Sequence, residues 1–355
     1  MEHGRVKPNW HWIVLVAALA CSCDFHVGPI NEGKPASPAT GAEGALTGEV
    51  WVYTSIYQSV IEQLDPLLEA RHPGIKVKWY RAGSEKVATR LDTELRAGGT
   101  QADLVMTSDP FWYLKLKNEG RTTPYVSPDL LPIPRELMDL DGHYATCRVS
   151  TMVLAYHPDH IAEDQVPKSF RALTDEAHKG KVTLGDPLSS GTHFTTTAFL
   201  SDKYGWEFYE TLRAQGAAAS GGNSSVLRRV EGGEYPVGVV LLENVLAAQK
   251  KGSPVRYVVP TDGAITIPGN IAIMATTDNL AATRAVYDVI MSAEGQEAMV
   301  AGNMHSANPR IGAPKGAPSF DAVTAGGFGW SPAFISKIQK ASPEIKTRFD
   351  AVMNR

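Results

Sequence analysis

The chain has 355 residues, with 43% hydrophobic and 20% charged residues and a net charge of −4, the composition of a globular protein. It has no basic block, which argues against nucleic acid as a partner. Only Cys147 lies in the body of the chain, the other cysteines being Cys21 and Cys23, so no internal disulfide framework is expected.

In chain order, Arg5 and Lys7 precede an apolar run, 12–20, that ends at Cys21-Ser22-Cys23. A basic start, a short apolar core and small residues before a cleavage point describe an export signal. The run is shorter than the ~20 apolar residues that span a bilayer. Ala20 before Cys21 has the form of a bacterial lipoprotein signal, residues 1–20, whose cleavage leaves Cys21 to carry lipid. Cys23 behind Ser22 is the competing site, and an ordinary cleaved signal is the third reading. No second apolar stretch is long enough to cross a membrane, so anchorage would be by acyl chains. Residues 21–48 are rich in Gly, Pro, Ala and Ser and read as a flexible tether.

The body reads as strand–helix units. Residues 50–53 form an apolar strand, followed by a helix with Val60, Ile61, Leu64, Leu67 and Leu68 on one face. Ser59 and Glu62 suggest a capping box, and His72-Pro73-Gly74 a stop. Ile75, Val77 and Trp79 alternate as in a strand. Ser84 can cap a second helix carrying Val87, Leu91 and Leu95. A third strand at 104–106 precedes Asp109-Pro110, a cap followed by proline at the first helical position. A second set begins near Lys181, with strands at 182–184, 237–242 and 255–259 and helices at 192–203, 206–214, 224–231 and 245–251. Alternation of this kind predicts an α/β fold whose parallel strands are covered on both faces. The segments 147–156 and 261–274 link the two sets, which predicts two lobes, each a sheet flanked by helices, joined by a two-strand hinge. The division expected is lobe 1 at 49–147, lobe 2 at 148–262, and a return to lobe 1 with C-terminal helices at 263–355. The tail from Leu280 onward is expected to be mostly helical and to pack on the first lobe.

Small polar residues gather at the strand-to-helix turns: Thr54-Ser55-Ile56-Tyr57, Thr107-Ser108-Asp109, Ser189-Ser190-Gly191-Thr192, Gly221-Gly222-Asn223-Ser224-Ser225 and Glu243-Asn244. In an open α/β sheet, ligands sit outside the carboxyl ends of the strands. Helix N-termini there offer free N–H groups and partial positive charge to an anion. Each turn taken alone is better explained as a helix cap. The turns at 189–192 and 222–225 hold more donors than a cap needs.

The runs Val52-Tyr53-Thr54-Ser55, His72-Pro73-Gly74-Ile75-Lys76-Val77, Gln101-Ala102-Asp103-Leu104-Val105, Asp186-Pro187-Leu188-Ser189-Ser190-Gly191-Thr192, Gly233-Glu234-Tyr235-Pro236-Val237-Gly238 and Ser292-Ala293-Glu294-Gly295-Gln296 resemble bacterial ABC-transporter extracellular solute-binding proteins. The resemblance covers about 48–314 and is to the branch usually labelled ferric-iron-binding, which also holds binders of phosphonates, sugar phosphates, thiamine and polyamines. It implies a two-lobe periplasmic-binding-protein fold, a small-molecule ligand in the interlobe cleft, an ABC permease with its ATPase as partners, and no catalysis or cofactor. A monomer tethered by lipid on the periplasmic or extracellular face is the form expected.

In the family's iron binders a His, a Glu and a tandem Tyr pair hold the metal, and a Ser-Gly motif with an Asn holds a synergistic anion. By the resemblance, the His place falls at Tyr57, the Glu place at Ser108 and the Tyr pair at about Val245-Leu246. The anion places match at Ser190-Gly191-Thr192 and at Asn223 with Ser224. The metal half is missing and the anion half stands, which implies a small anionic ligand of organophosphate or phosphonate type and no metal. The ligand-binding set expected is Ser55, Tyr57, Ser108, Arg148, Ser189, Ser190, Gly191, Thr192, Asn223, Ser224, Ser225, Glu243 and Asn244. Arg148 could neutralise an anion or form an interlobe ion pair. Glu243 could pair a ligand amine or hydroxyl, or complement a helix dipole. His193 could touch the ligand, and Asn303 and Ser306 are further candidates. His157 and His160 flank a turn. The alternatives are a ferric-iron binder with its anion, a secreted α/β hydrolase, and a binder feeding a signalling receptor. No nucleophile elbow, P-loop or His-Glu-x-x-His motif occurs.

Overall fold

The structure, a computed structural model, describes residues 45–355 apart from 131, 132, 326 and 328. The expected signal, Cys21 and all but the last residues of the tether lie outside the described residues.

Strand β1 (Gly48–Thr54) leads into helix α1 (Gln58–Arg71), β2 (Ile75–Arg81), α2 (Ser84–Arg96), β3 (Leu104–Thr107) and α3 (Pro110–Asn118). Then come the short β4 (Thr122–Thr123) and the twelve-residue β5 (Ala145–Tyr156). The second set is β6 (Val182–Leu184), α4 (Gly191–Tyr204), α5 (Glu207–Ala214), β7 (Ala218–Ala219), α6 (Asn223–Glu231), β8 (Val237–Leu241), α7 (Leu242–Lys250) and β9 (Arg256–Val258). Strand β10 (Ile265–Met274) returns, followed by α8 (Leu280–Met291), α9 (Ala293–Ala301), β11 (His305–Ser306), α10 (Phe320–Thr324) and α11 (Pro332–Met353).

The strands pair in the order β2-β1-β3-β10-β5-β8-β6-β7. β1 pairs parallel with β2 and β3, and β6 pairs parallel with β7 and β8. Between these parallel groups run β10 and β5, antiparallel to each other and each long enough to serve both. Asn270–Ile273 of β10 pair with β3, while Met152–Tyr156 of β5 pair with β8. The register shifts between Gly269 and Asn270, where the two strands pass from one group to the other. A bulge at that point re-aims the side chains on either side of the crossing.

Each half is covered on both faces, as its near-continuous apolar strands require. In the first half Val52, Met106 and Ile271 pack with Leu64 of α1 and Val286 of α8, and Tyr53 and Val105 pack on the other face with Leu91 of α2 and Leu116 of α3. In the second half Leu154 and Val239 pack with Phe208 and Leu212, while Val153 and Val240 pack with Val226, Val245 and Leu246. The α/β, two-lobe architecture expected from the alternation is therefore present.

Several local expectations shift. The Ser59–Glu62 capping box does not form, since Tyr57 is the N-cap of α1 and gives no side-chain bond. Ser84 is the first residue of α2 rather than its cap. Helix α7 starts three residues earlier than its apolar pattern suggested. Asp109 caps α3 as expected, accepting from the Phe111 and Trp112 N–H groups. The tail does not pack on the first half alone. Helices α8 and α9 do, but Phe349 and Met353 of α11 join the second-half core, and Ile338 and Ile345 meet Phe111 of α3 and Phe194 of α4. The apolar face of α11 is long enough to cover both, and Lys346 adds a bond to Glu85 of α2 at 2.5 Å.

Candidate functional site

A cavity of about 300 Å³ lies between the halves. Its walls are the carboxyl ends of the parallel strands. Ser55 and Tyr57 follow β1, Gly83 and Ser84 follow β2, and Ser108 follows β3. Ser189, Ser190 and Thr192 follow β6, Gly222, Asn223, Ser224 and Ser225 follow β7, Leu241 ends β8, and Glu243 and Asn244 open α7. Arg148 and Ser150 of the crossing strand β5 complete the lining. Helices α2, α4, α6 and α7 all begin here. Three of them, α2, α6 and α7, have no side-chain cap, so their first N–H groups are left for another acceptor.

Arg148 and Ser150 share a face because side chains two apart on a strand point the same way. Arg148 is 2% exposed. Its Nη2 donates to Ser108 Oγ at 2.7 Å and Ser55 Oγ at 3.3 Å. Its Nε and Nη1 are buried without a hydrogen-bond partner. Among the described residues Arg148 forms no ion pair, so the interlobe pair considered for it is not formed. A buried guanidinium with open donors is costly unless an acceptor completes it.

The serines form a chain. Ser84 Oγ donates to Ser55 Oγ at 3.0 Å and accepts from the Ser108 N–H at 3.2 Å. On the opposite wall, Asn223 Nδ2 donates to Thr192 Oγ1 at 2.8 Å, while Asn223 Oδ1 accepts from the Leu241 N–H at 3.1 Å. The Ser190 and Thr192 hydroxyls lie 3.0 Å apart. Tyr57 bridges the walls, its hydroxyl donating to Asn244 Oδ1 at 2.9 Å.

Glu243 is 3% exposed, and its Oε1 accepts from Ser150 Oγ at 2.6 Å. Burial pushes its carboxyl up to about 7, against the pull of the Ser150 bond and the Arg148 charge. Burial, with Glu243 beside it, holds the Tyr57 phenol well above its ordinary value. Glu243 lies in the first turn of α7 as well as on the cavity wall, so both positions considered for it apply.

Gly191 is the one residue of the expected set that does not line the cavity. A Cβ there would stand 3.0 Å from Ser84 Cβ and 3.1 Å from the Ser108 carbonyl oxygen, so its bare backbone lets the halves approach. His193 does not line the cavity either. Its Nδ1 accepts from the Gly185 N–H at 3.3 Å, and burial pushes the ring down to about 3. Ser306 donates to Gln296 at 2.7 Å, away from the cavity, and Asn303 is absent from the lining. The His157 and His160 rings meet at a tilt of 49°, 4.5 Å between centroids. Val245 and Leu246 are core residues. Cys147 is buried and donates to the Gly269 carbonyl.

Sequence reasoning missed Ser84, Ser150, Gly83 and Leu241. Ser84 carried a signal, as a hydroxyl directly after a strand. Ser150 carried none, because its partner Glu243 is 93 residues away.

A family model described as bacterial extracellular solute-binding protein matches residues 51–297. A probable ABC transporter periplasmic-binding protein, y4fP of Sinorhizobium fredii, is 28% identical over 244 residues, covering 66% of this chain and 67% of that one. Iron-bound HitA from Pseudomonas aeruginosa superposes with a TM-score of 0.75 at 19% identity, covering 86% of this chain and 99% of that one. AfuA from Actinobacillus pleuropneumoniae, with fructose-6-phosphate bound, superposes with a TM-score of 0.74 at 19% identity over the same shares. At these identities the two structures establish a shared fold.

Proposed function

The chain belongs to the bacterial extracellular solute-binding protein family, and on that premise we propose that it captures a small anionic ligand, a phosphonate or organophosphate, in the cleft for an ABC importer. The observation that carries this reading is Arg148, buried at the cavity with Nε and Nη1 open. Around it stand hydroxyl donors from both halves and four helix N-termini, the surroundings that favour an oxyanion. The ligand would contact both halves and shift the population toward the closed form. That form would dock on a permease driven by a separate ATPase.

The proposed organisation is a signal at 1–20, lipid on Cys21, a tether at 21–48, lobe 1 at 49–147, lobe 2 at 148–262 and the return at 263–355, with the protein a monomer outside the cytoplasm. Among the described residues no helix is long and apolar enough to cross a membrane.

Ferric iron is the second reading, because Tyr57 and Glu243 place two oxygen ligands on the cavity wall. Against it, Arg148 would repel a cation, and burial resists ionisation of both Tyr57 and Glu243. A hydrolytic role has little support, since the His193 ring is engaged with Gly185 rather than a cavity serine.

A thermal-shift screen against phosphate, phosphonates, sugar phosphates, thiamine, polyamines and ferric iron tests the reading. A ligand at a hundredfold excess over its dissociation constant adds about 2.7 kcal/mol. A shift with phosphorus oxyanions that Asn223→Ala removes supports it. A shift confined to ferric iron overturns it.

A further inference from the structure

Beside the first cavity lies a second of about 640 Å³, and Tyr57, Ser224 and Asn244 line both. The boundary between them includes the hydrogen bond from the Tyr57 hydroxyl to Asn244 Oδ1, 2.9 Å long. Beyond it the walls are Leu227, Arg228, Ala247, Ala248, Lys251 and Pro254. The first compartment is smaller and lined mostly by hydroxyl, amide and charged side chains, with Leu241 its one large apolar residue. The second joins apolar surface to two cations, with Glu231 the one carboxylate in its lining.

We propose that the two compartments form one elongated ligand site, which takes an oxyanion at Arg148 and, past Tyr57 and Asn244, an organic chain ending in a second anionic group near Arg228 and Lys251. This inference rests on the anion reading of the first cavity and extends it. Three features support it. The Tyr57–Asn244 bond joins two side chains rather than two backbones, so rotation of either can let a chain pass. The second cavity is lined by Leu227, Ala247, Ala248 and Pro254, so a methylene chain seated there would itself gain from leaving water. The lining there carries two positive groups against one negative, which favours a terminal carboxylate or phosphoryl group over an ammonium.

The test compares inorganic phosphate, methylphosphonate and 3-phosphonopropionate by isothermal titration calorimetry on the full chain. The longer, doubly anionic ligand is expected to bind about tenfold more tightly than methylphosphonate, or about 1.4 kcal/mol. Ala247→Trp should fill the second compartment and remove that advantage, leaving methylphosphonate within about threefold. Lys251→Glu, an exposed change, should reduce the advantage without affecting folding. Equal binding of the two phosphonates to the unaltered protein, or an advantage that survives both variants, overturns the inference while leaving the anion reading in place. If neither phosphonate nor phosphate binds, the anion reading fails and this inference fails with it.

Discussion

Arg148 and Gly269 face each other across the antiparallel pair β5–β10. A Cβ on Gly269 would lie 2.2 Å from Arg148 Nη1 and 2.7 Å from its Cγ. The missing side chain is therefore what lets the guanidinium lie across its neighbour at the crossing. Because the bulge follows directly, between Gly269 and Asn270, the strand that joins the halves is also the one that positions the buried cation. Gly269→Ala should displace Arg148 and weaken oxyanion binding at least tenfold, about 1.4 kcal/mol. Calorimetry with methylphosphonate checks this, and unchanged affinity would show that the guanidinium has another place to lie.

Glu243 should make both stability and binding depend on pH. Its carboxyl is held at about 7 by burial, above its ordinary value. Between those two values the folded state holds more protons than the unfolded state, so this group lowers stability as pH rises toward 7 and no further above it. Glu243→Gln should therefore gain on the unaltered protein as pH rises. At about 1.4 kcal/mol per tenfold change in proton affinity, the gap above pH 7 is on the order of 3 kcal/mol. Denaturant melts at pH 5 and pH 8 measure it. Oxyanion affinity should also fall above pH 7 in the unaltered protein and stay flatter in the variant, because an ionised Glu243 repels the ligand.

Tyr57 and Asn244 join the walls without a ligand. Tyr57→Phe removes the bond and keeps the ring, so the open form should gain population and melting should change by about 0.5–1.5 kcal/mol. Small-angle scattering of the ligand-free chain should show a larger radius of gyration for the variant. Identical curves would mean that packing around Gly191 closes the cleft unaided.

Lys346 of α11 neutralises a buried acidic pair. It meets Glu85 at 2.5 Å, while burial, with Glu85 nearby, pushes Asp109 up to about 7. Lys346→Met should cost about 1–3 kcal/mol, mostly at neutral pH, where the carboxyl groups lose their cation and become harder to ionise. Melting at pH 5 should narrow the loss, because protonated carboxyls need no partner.

Much of this was legible in the chain because the signals were local. Strand and helix alternation marked the α/β sheet, and hydroxyl-rich turns after strands marked the cavity wall, since the carboxyl ends of parallel strands converge. What stayed hidden depended on distant partners. Ser150 looks like any residue of an apolar strand until Glu243 is brought to it. Ser84 resembled a cap, but Gly83 takes that position and frees the hydroxyl for Ser55. Gly191 read as a ligand contact, yet its lack of a side chain serves the approach of the two halves. Helix α11 bridges both halves, which its periodicity could not reveal because an apolar stripe does not name its partner.

The most direct measurement of the central claim is calorimetric titration of methylphosphonate into the unaltered chain and into Arg148→Met, with ligand-free melting of both as the control for folding. The account expects saturable binding to the unaltered protein, lost by at least a hundredfold in the variant, about 2.7 kcal/mol, with the variant still folded. Equal binding by both proteins, or binding of ferric iron with a tyrosinate charge-transfer band and none of methylphosphonate, would contradict it.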